Sequence, residues 1–197
     1  MIYVKFLIFN APAMAGVFFD SNTTGMPRPK PADYPSFYET YISLVPEDDI
    51  QKAFTASLPQ LRQDLSYISS DKADYAYGTD KWTVKQLLQH AIDTERIFGY
   101  RALCIARGEQ QSLPGFDENA YAEHADVSRK HIKDLKEELV TLRLSTMQMF
   151  QGFTNEMLLR SGISNQKPIS VLAIGYATIG HWRHHASILQ TRYGIGE

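Results

Sequence analysis

From residue 32 onward no segment sustains a period-two alternation of apolar and polar residues, and four long segments instead repeat their apolar positions every three to four residues. That period matches the turn of an α-helix and not the pleat of a strand. A chain with this pattern is predicted to be all-α, with each amphipathic helix burying its stripe against the others.

Residues 34–44 predict a short aromatic helix through Tyr34, Phe37, Tyr38, Tyr41 and Leu44. Residues 47–69 carry Ile50, Phe54, Leu58, Leu61, Leu65 and Ile68 on one stripe, with a kink or break expected at Pro59. The second long helix is the best signalled. Thr83 and Gln86 have the spacing of a capping box, Trp82 and Leu87 that of a hydrophobic staple, and Gly108 marks a stop after Arg107. Residues 108–127 lack a long apolar period, so a short helix near 117–123 is expected within a crossing segment. Ser128 is read as the cap of a third long helix that runs to about Phe153. Residues 154–167 are read as polar turns, and Pro168 and Ser170 as the opening of a fourth helix ending near Tyr193 and Gly194. A long crossover between helices two and three of a four-helix bundle permits those two to run the same way.

The chain has 197 residues, the size of one domain with a short appendage. Residues 1–26 are read as an N-terminal extension and 27–197 as the domain. The extension is a poor match to a secretory signal, because Asn10 and Pro12 interrupt its apolar run, and it is too short and broken to span a membrane. Met26 is the preferred start. Lys plus Arg number 20 against 22 Asp plus Glu, and no basic run would track a phosphate backbone, so neither nucleic acid nor membrane is an expected partner. Cys104 is the single cysteine, which excludes an internal disulfide and a cysteine-based zinc knuckle and fits a cytoplasmic protein.

Six histidines are present, and His181 and His185 stand four apart in the fourth helix. On a helix that spacing puts both imidazoles on one face, where they can converge on one ion. At about 100° per residue, Ile174, Ala177, His181, His185 and Ile188 share a face, and Leu87, His90, Thr94 and Ile97 share the apolar face of the second helix. All three histidines therefore point inward. Three imidazoles in one core satisfy each other poorly without a cation. A pair at this spacing is common by chance and a lone core histidine is ordinarily hydrogen-bonded; the agreement of three faces is what favours a metal site. His184 is read as a surface residue beside Arg183, and His124 and His131 as solvated. Glu95 falls away from the histidine face.

The chain resembles the DinB-like family of bacterial four-helix-bundle proteins over residues 27–193. The resemblance rests on Lys81-Trp82-Thr83 leading to His90 and Asp93-Thr94-Glu95-Arg96, on Leu113-Pro114-Gly115-Phe116-Asp117, and on Gly180-His181 through His185-Ala186-Ser187-Ile188-Leu189. It implies a divalent metal held by His90, His181 and His185, nickel or zinc first, with iron, manganese or copper as further choices for imidazole ligands. It also implies a homodimer, and a small-molecule substrate such as a low-molecular-weight thiol, since relatives include bacillithiol transferases and a mycothiol-dependent maleylpyruvate isomerase.

Three neutral ligands leave a coordination position open, as in catalytic rather than closed structural sites. The expected activity is a metal-dependent thiol S-transferase or hydrolase; the alternative is a non-catalytic, metal-binding, dimerising bundle. A zinc-peptidase motif needs Glu directly after its first His, and Trp182 stands there. No general base can be named. Arg101, three turns beyond His90 on the same face, is a candidate for an anionic substrate, with a core-edge ion pair as its plainer role. Tyr121 in the crossover is a candidate for closing the mouth of the site. Metal affinity is expected to fall as pH drops through the ordinary imidazole range, about 6–7.

Overall fold

The computed structural model describes residues 26–196. The extension lies outside them except for Met26, which is buried in the core. The arm that follows is docked by Arg28. Its guanidinium donates to the carbonyls of Val45, of Ile42 at 3.0 Å and of Glu47 at 3.3 Å, and sits 5.3 Å from the Tyr176 ring centre.

Two 3₁₀ turns, Pro31–Asp33 and Ser36–Tyr38, lead into α1, Glu39–Ile42. Tyr34 and Tyr38 are buried within the chain, so most of the aromatic segment is used internally; Phe37 is exposed. The helix α2, Ile50–Ser66, opens on Asp49, whose carboxylate accepts from the Gln51 and Lys52 amides. It runs unbroken through Pro59. Pro59 and Thr55, whose carbonyl loses its amide partner, are both exposed, so water can take the place of that amide.

The capping box forms as expected: the Gln86 amide donates to Thr83 Oγ1 at 3.2 Å and the Thr83 amide to Gln86 Oε1 at 2.8 Å. It opens α3, Val84–Ala106, and Gly108 follows with φ +89°. Asp117 caps α4, Glu118–His124. The third long helix, α5, spans Ile132–Gln151, and its cap position is His131, three residues after the expected Ser128. Ser128 is held instead in a local turn, where its amide and hydroxyl both donate to Asp126 Oδ1. Short polar side chains compete with helix in this way.

Residues 154–167 depart from the expected turns, and Pro168 from the expected helix start. Thr154 caps α6, Asn155–Leu159, and a hairpin follows, β1 at Ser161–Ser164 and β2 at Lys167–Ser170. Asn165 and Gln166 form its two-residue loop at φ +49° and +60°, the geometry that suits a right-twisted hairpin. Pro168 thus belongs to β2 and not to a helix start. The crossover is stitched to this hairpin: the Leu113 amide donates to the Ile163 carbonyl and the Asn165 amide to the Leu113 carbonyl, each at 2.9 Å. Ser170 then caps α7, Val171–Tyr193, which ends on Gly194 at φ +65°.

Side-chain register fixes the helix directions. Gln89 meets Lys130, and Arg96 meets Glu138, so α3 and α5 are parallel, as the long crossover permits. Gln51 meets the Phe150 carbonyl while Ser57 meets Arg143, so α2 opposes α5. Trp82 meets Tyr193 and His90 meets His181, so α3 opposes α7. The order is a four-helix bundle running up, down, down, up.

Its apolar core has two halves. One contains Phe54, Phe98, Phe150 and Tyr176; the other Leu61, Leu88, Leu139 and Trp182. On every long helix the crossing between the halves is polar: Ser57 on α2, Thr94 and Glu95 on α3, Arg143 on α5, Thr178 and His181 on α7, all buried. Glu95 and Arg143 form a forked ion pair, with Nε–Oε1 at 2.9 Å and Nη2–Oε2 at 2.8 Å.

Candidate metal centre

Three of the histidines meet in that polar layer. His90 Nε2 lies 3.1 Å from His181 Nε2, which in turn lies 3.1 Å from His185 Nε2. His90 comes from the second turn of α3, and the other two from successive turns of α7. All three are buried, and their ligand atoms lie within 4.8 Å of one another.

Proton counting shows what this arrangement lacks. The lone pair or proton on His181 Nε2 must serve two neighbouring nitrogens at once, and a neutral imidazole nitrogen offers one or the other. His185 Nδ1 is buried with no hydrogen-bond partner. Burial keeps the rings neutral: it pushes His90 down to about 4, with His184 adding to the shift, and holds His181 and His185 well below the usual imidazole value. Neutral imidazoles are the ligating form. Two nitrogens placed tetrahedrally about 2.0–2.1 Å from a zinc-sized ion stand about 3.3 Å apart. The 3.1 Å spacings match that geometry, so the donor set fits a divalent cation.

Neighbouring rings hold the imidazoles in place. Trp82 packs on His90 at 4.7 Å between ring centres, and Tyr41 meets His181 edge-on at 5.2 Å. Tyr41 can approach because Gly180 faces the α1 backbone; a Cβ there would stand 2.0 Å from the Tyr41 carbonyl oxygen.

Two cavities flank the centre. One, of about 560 Å³, is lined by His181, Thr94, Phe98 and Arg101 on the helices and by Phe116 and Glu118 from the crossover. The other, of about 310 Å³, reaches His90 and His185 past Trp82 and Tyr77. Tyr41 and Glu118 line both. Thr94 Oγ1 is buried without a partner, a feature visible only once its neighbours are placed.

Each expected site residue has a definite place. His184 is half-buried in the wall of the smaller cavity, 5.5 Å from the Tyr41 ring centre, rather than simply on the surface, and is not one of the three ligand candidates. His124 and His131 are exposed, as expected. Glu95 faces away from the histidines and is taken up by Arg143. Arg101 is buried and forms no ion pair among the described residues; its Nη2 donates to the Pro114 carbonyl at 2.7 Å and its guanidinium lies 5.7 Å from the Phe116 ring centre. Tyr121 is half exposed and packs edge-on against Phe116, one residue removed from the cavity.

Among the described residues no helix is long and apolar enough to cross a membrane. No curated protein matches the chain. Among solved structures it is similar to YfiT from Bacillus subtilis, described as a probable metal-dependent hydrolase with an unusual four-helix bundle topology. The identity is 17%, the TM-score 0.62, and the match covers 86% of this chain and 94% of that one. The family model of the DinB superfamily matches residues 53–189. That span includes all three histidines, the whole of α3 and α5 and most of α2 and α7, and the chain belongs to the DinB superfamily.

Proposed function

We propose that this protein is a metal-dependent enzyme acting on a small molecule, a hydrolase or a thiol S-transferase, with His90, His181 and His185 as metal ligands. One observation carries the reading: three buried, neutral imidazoles converge where two cavities meet. A divalent ion held there, nickel or zinc first, would supply a Lewis acid with an open position for water, a thiol or a carbonyl. The remaining work falls to side chains. Thr94 offers a free hydroxyl to the ligand, Tyr41 holds His181 edge-on, and Glu118 is the carboxylate that lines both cavities and can accept a proton. The description of YfiT supports the metal-dependent half of this reading.

The test is a turnover screen of nickel- and zinc-loaded protein against esters and amides, and against electrophiles paired with low-molecular-weight thiols. A product that needs both metal and His181 is the expected result. Equal rates for loaded and metal-free protein throughout would leave the non-catalytic bundle as the better account. A homodimer is also proposed, and sedimentation at micromolar concentration decides it.

A further inference from the structure

We propose that Arg101 is the carboxylate subsite of the larger cavity, and that the molecule handled there is a small acid with a flat apolar body, anionic end on Arg101 and opposite end toward His181. This rests on the metal-dependent reading above.

The register of α3 sets the geometry of the subsite. At 100° per residue, His90, Thr94, Phe98 and Arg101 fall within about 80° of arc, and eleven residues at 1.5 Å each span about 16 Å. One helix face therefore runs from the histidine cluster to a guanidinium. Thr94, Phe98 and Arg101 line the same cavity as His181.

Arg101 is 4% exposed, yet no carboxylate pairs with it among the described residues. Arg143, also buried in this bundle, is matched by Glu95 through a forked pair. A buried guanidinium without a counter-charge is costly. Its surroundings neutralise nothing: the Pro114 carbonyl takes one N–H, the Tyr38 hydroxyl faces it, and Phe116 covers one side. Pinning the crossover to α3 would need only a neutral donor. A permanent positive charge aimed into a cavity is suited to an anion, and the planar fork suits a carboxylate best.

The cavity describes the rest of the ligand. Phe37, Tyr38, Tyr41, Phe98 and Phe116 contribute aromatic wall, and about 560 Å³ suits a small molecule. Thr94 is buried and its Oγ1 is unpartnered, which leaves one polar contact toward the histidine end. The two acids in the lining oppose an anion weakly. Both are exposed, and Asp117 already accepts from the Asn119 and Ala120 amides.

The experiment uses phenylacetate and its neutral analogue phenylacetamide, titrated into metal-free protein and followed by ligand NMR, with cobalt uptake measured on the same preparations. Phenylacetate is expected to bind at least tenfold more tightly than the amide. Arg101→Met should weaken it by about 10- to 100-fold, the value of charged hydrogen bonds. In cobalt-loaded protein the para ring proton should relax faster than the methylene protons, because the carboxylate is at the far end. Equal binding of acid and amide, undiminished binding in Arg101→Met, displacement by equimolar sulfate, or fastest relaxation at the methylene each overturns the proposal. The last outcome would put the carboxylate on the metal. Should Arg101→Met fail to fold, the acid–amide comparison on the unaltered chain decides. Arg101-dependent binding by protein that takes up no cobalt would uphold the subsite and sink the metal reading instead.

Discussion

The Nε2 atoms of His90 and His181 lie 3.1 Å apart although 91 residues separate them in the chain. They meet because α3 and α7 run in opposite directions through the polar layer between the two apolar halves. Each half is closed by its own side chains, Phe54 against Phe150 in one and Leu88 with Leu139 in the other. The fold therefore has a core of its own beneath and above the histidines, and a metal ion adds to it rather than founding it.

Replacing His90, His181 or His185 with Ala should each abolish stoichiometric metal binding, because each removes one of three ligand candidates. His184→Ala and His131→Ala should keep it, since neither belongs to that group. Elemental analysis of the five variants, with circular dichroism alongside, checks both points. Metal lost from His184→Ala but kept by His185→Ala would mean the wrong α7 face has been assigned. A circular dichroism spectrum that collapses on chelation would show that the core does not suffice.

Acid should weaken the metal-free fold before it strips metal from the loaded one. An unfolded imidazole takes up a proton at about 6.5, whereas in the folded chain His90 does so only at about 4 and the other two well below their usual value. The unfolded state thus binds more protons in between. The stability these groups contribute is complete above about pH 6.5 and is lost as pH falls toward 4. The proton competition for metal expected at pH 6–7 from ordinary imidazole is corrected by burial to a more acid range. Melting temperatures of the metal-free chain across this window should fall, and fall less in a triple His→Gln variant. Parallel curves for the two proteins would refute the shift.

Local chemistry was legible in the sequence and long-range chemistry was not. The Thr83–Gln86 capping box spans three residues and could be read directly, as could the helical faces that turn His90, His181 and His185 inward. The start of α5 was hidden because Ser128 suits a helix cap and an Asp126 turn equally well. The hairpin was hidden because four-residue strands are too short to display a period. Glu95 could be seen to avoid the histidine face, but its partner Arg143 stands 48 residues away on a parallel helix. That Arg101 shares the His90 face of α3 was legible by register alone, and Thr94, Phe98 and Arg101 of that face do line one cavity with His181. That Arg101 is buried with no carboxylate partner among the described residues depends on how Pro114 and Phe116 fold back over it.

Removing one member of the Glu95–Arg143 pair should cost about 3–5 kcal/mol, because the charge left behind stays buried. Arg143 is 1% exposed and also reaches Ser57 Oγ at 3.2 Å and the Thr178 carbonyl at 3.5 Å, so Arg143→Met takes a donor from three groups. Urea denaturation measures the loss. The double change Glu95→Leu with Arg143→Met should recover much of it, and metal content should be unaffected in both. A single variant within about 0.5 kcal/mol of the parent, the usual range of surface changes, would show that the pair is not an essential brace.

Two glycines on facing helices separate backbone approach from helix propensity. Ala exceeds Gly by about 0.8–1.0 kcal/mol in a helix interior, so either substitution should stabilise if nothing stands in the way. At Gly99 of α3 the nearest atom to an added Cβ is Met149 Cε at 3.8 Å, an ordinary contact, and Gly99→Ala should gain most of that amount. At Gly180 of α7 the added carbon would lie 2.0 Å from the Tyr41 carbonyl oxygen, a backbone atom that can yield only if α1 moves. Gly180→Ala should therefore lose about 1–3 kcal/mol, the ordinary cost of overpacking, despite its better propensity. Moving α1 also pulls the Tyr41 ring off His181 and His184 and opens the wall shared by the two cavities. Urea midpoints should thus shift in opposite directions for the two variants, and metal affinity should fall for Gly180→Ala alone. Should Gly180→Ala prove as stable as Gly99→Ala, with unchanged metal affinity, α1 is not the rigid wall that this packing describes.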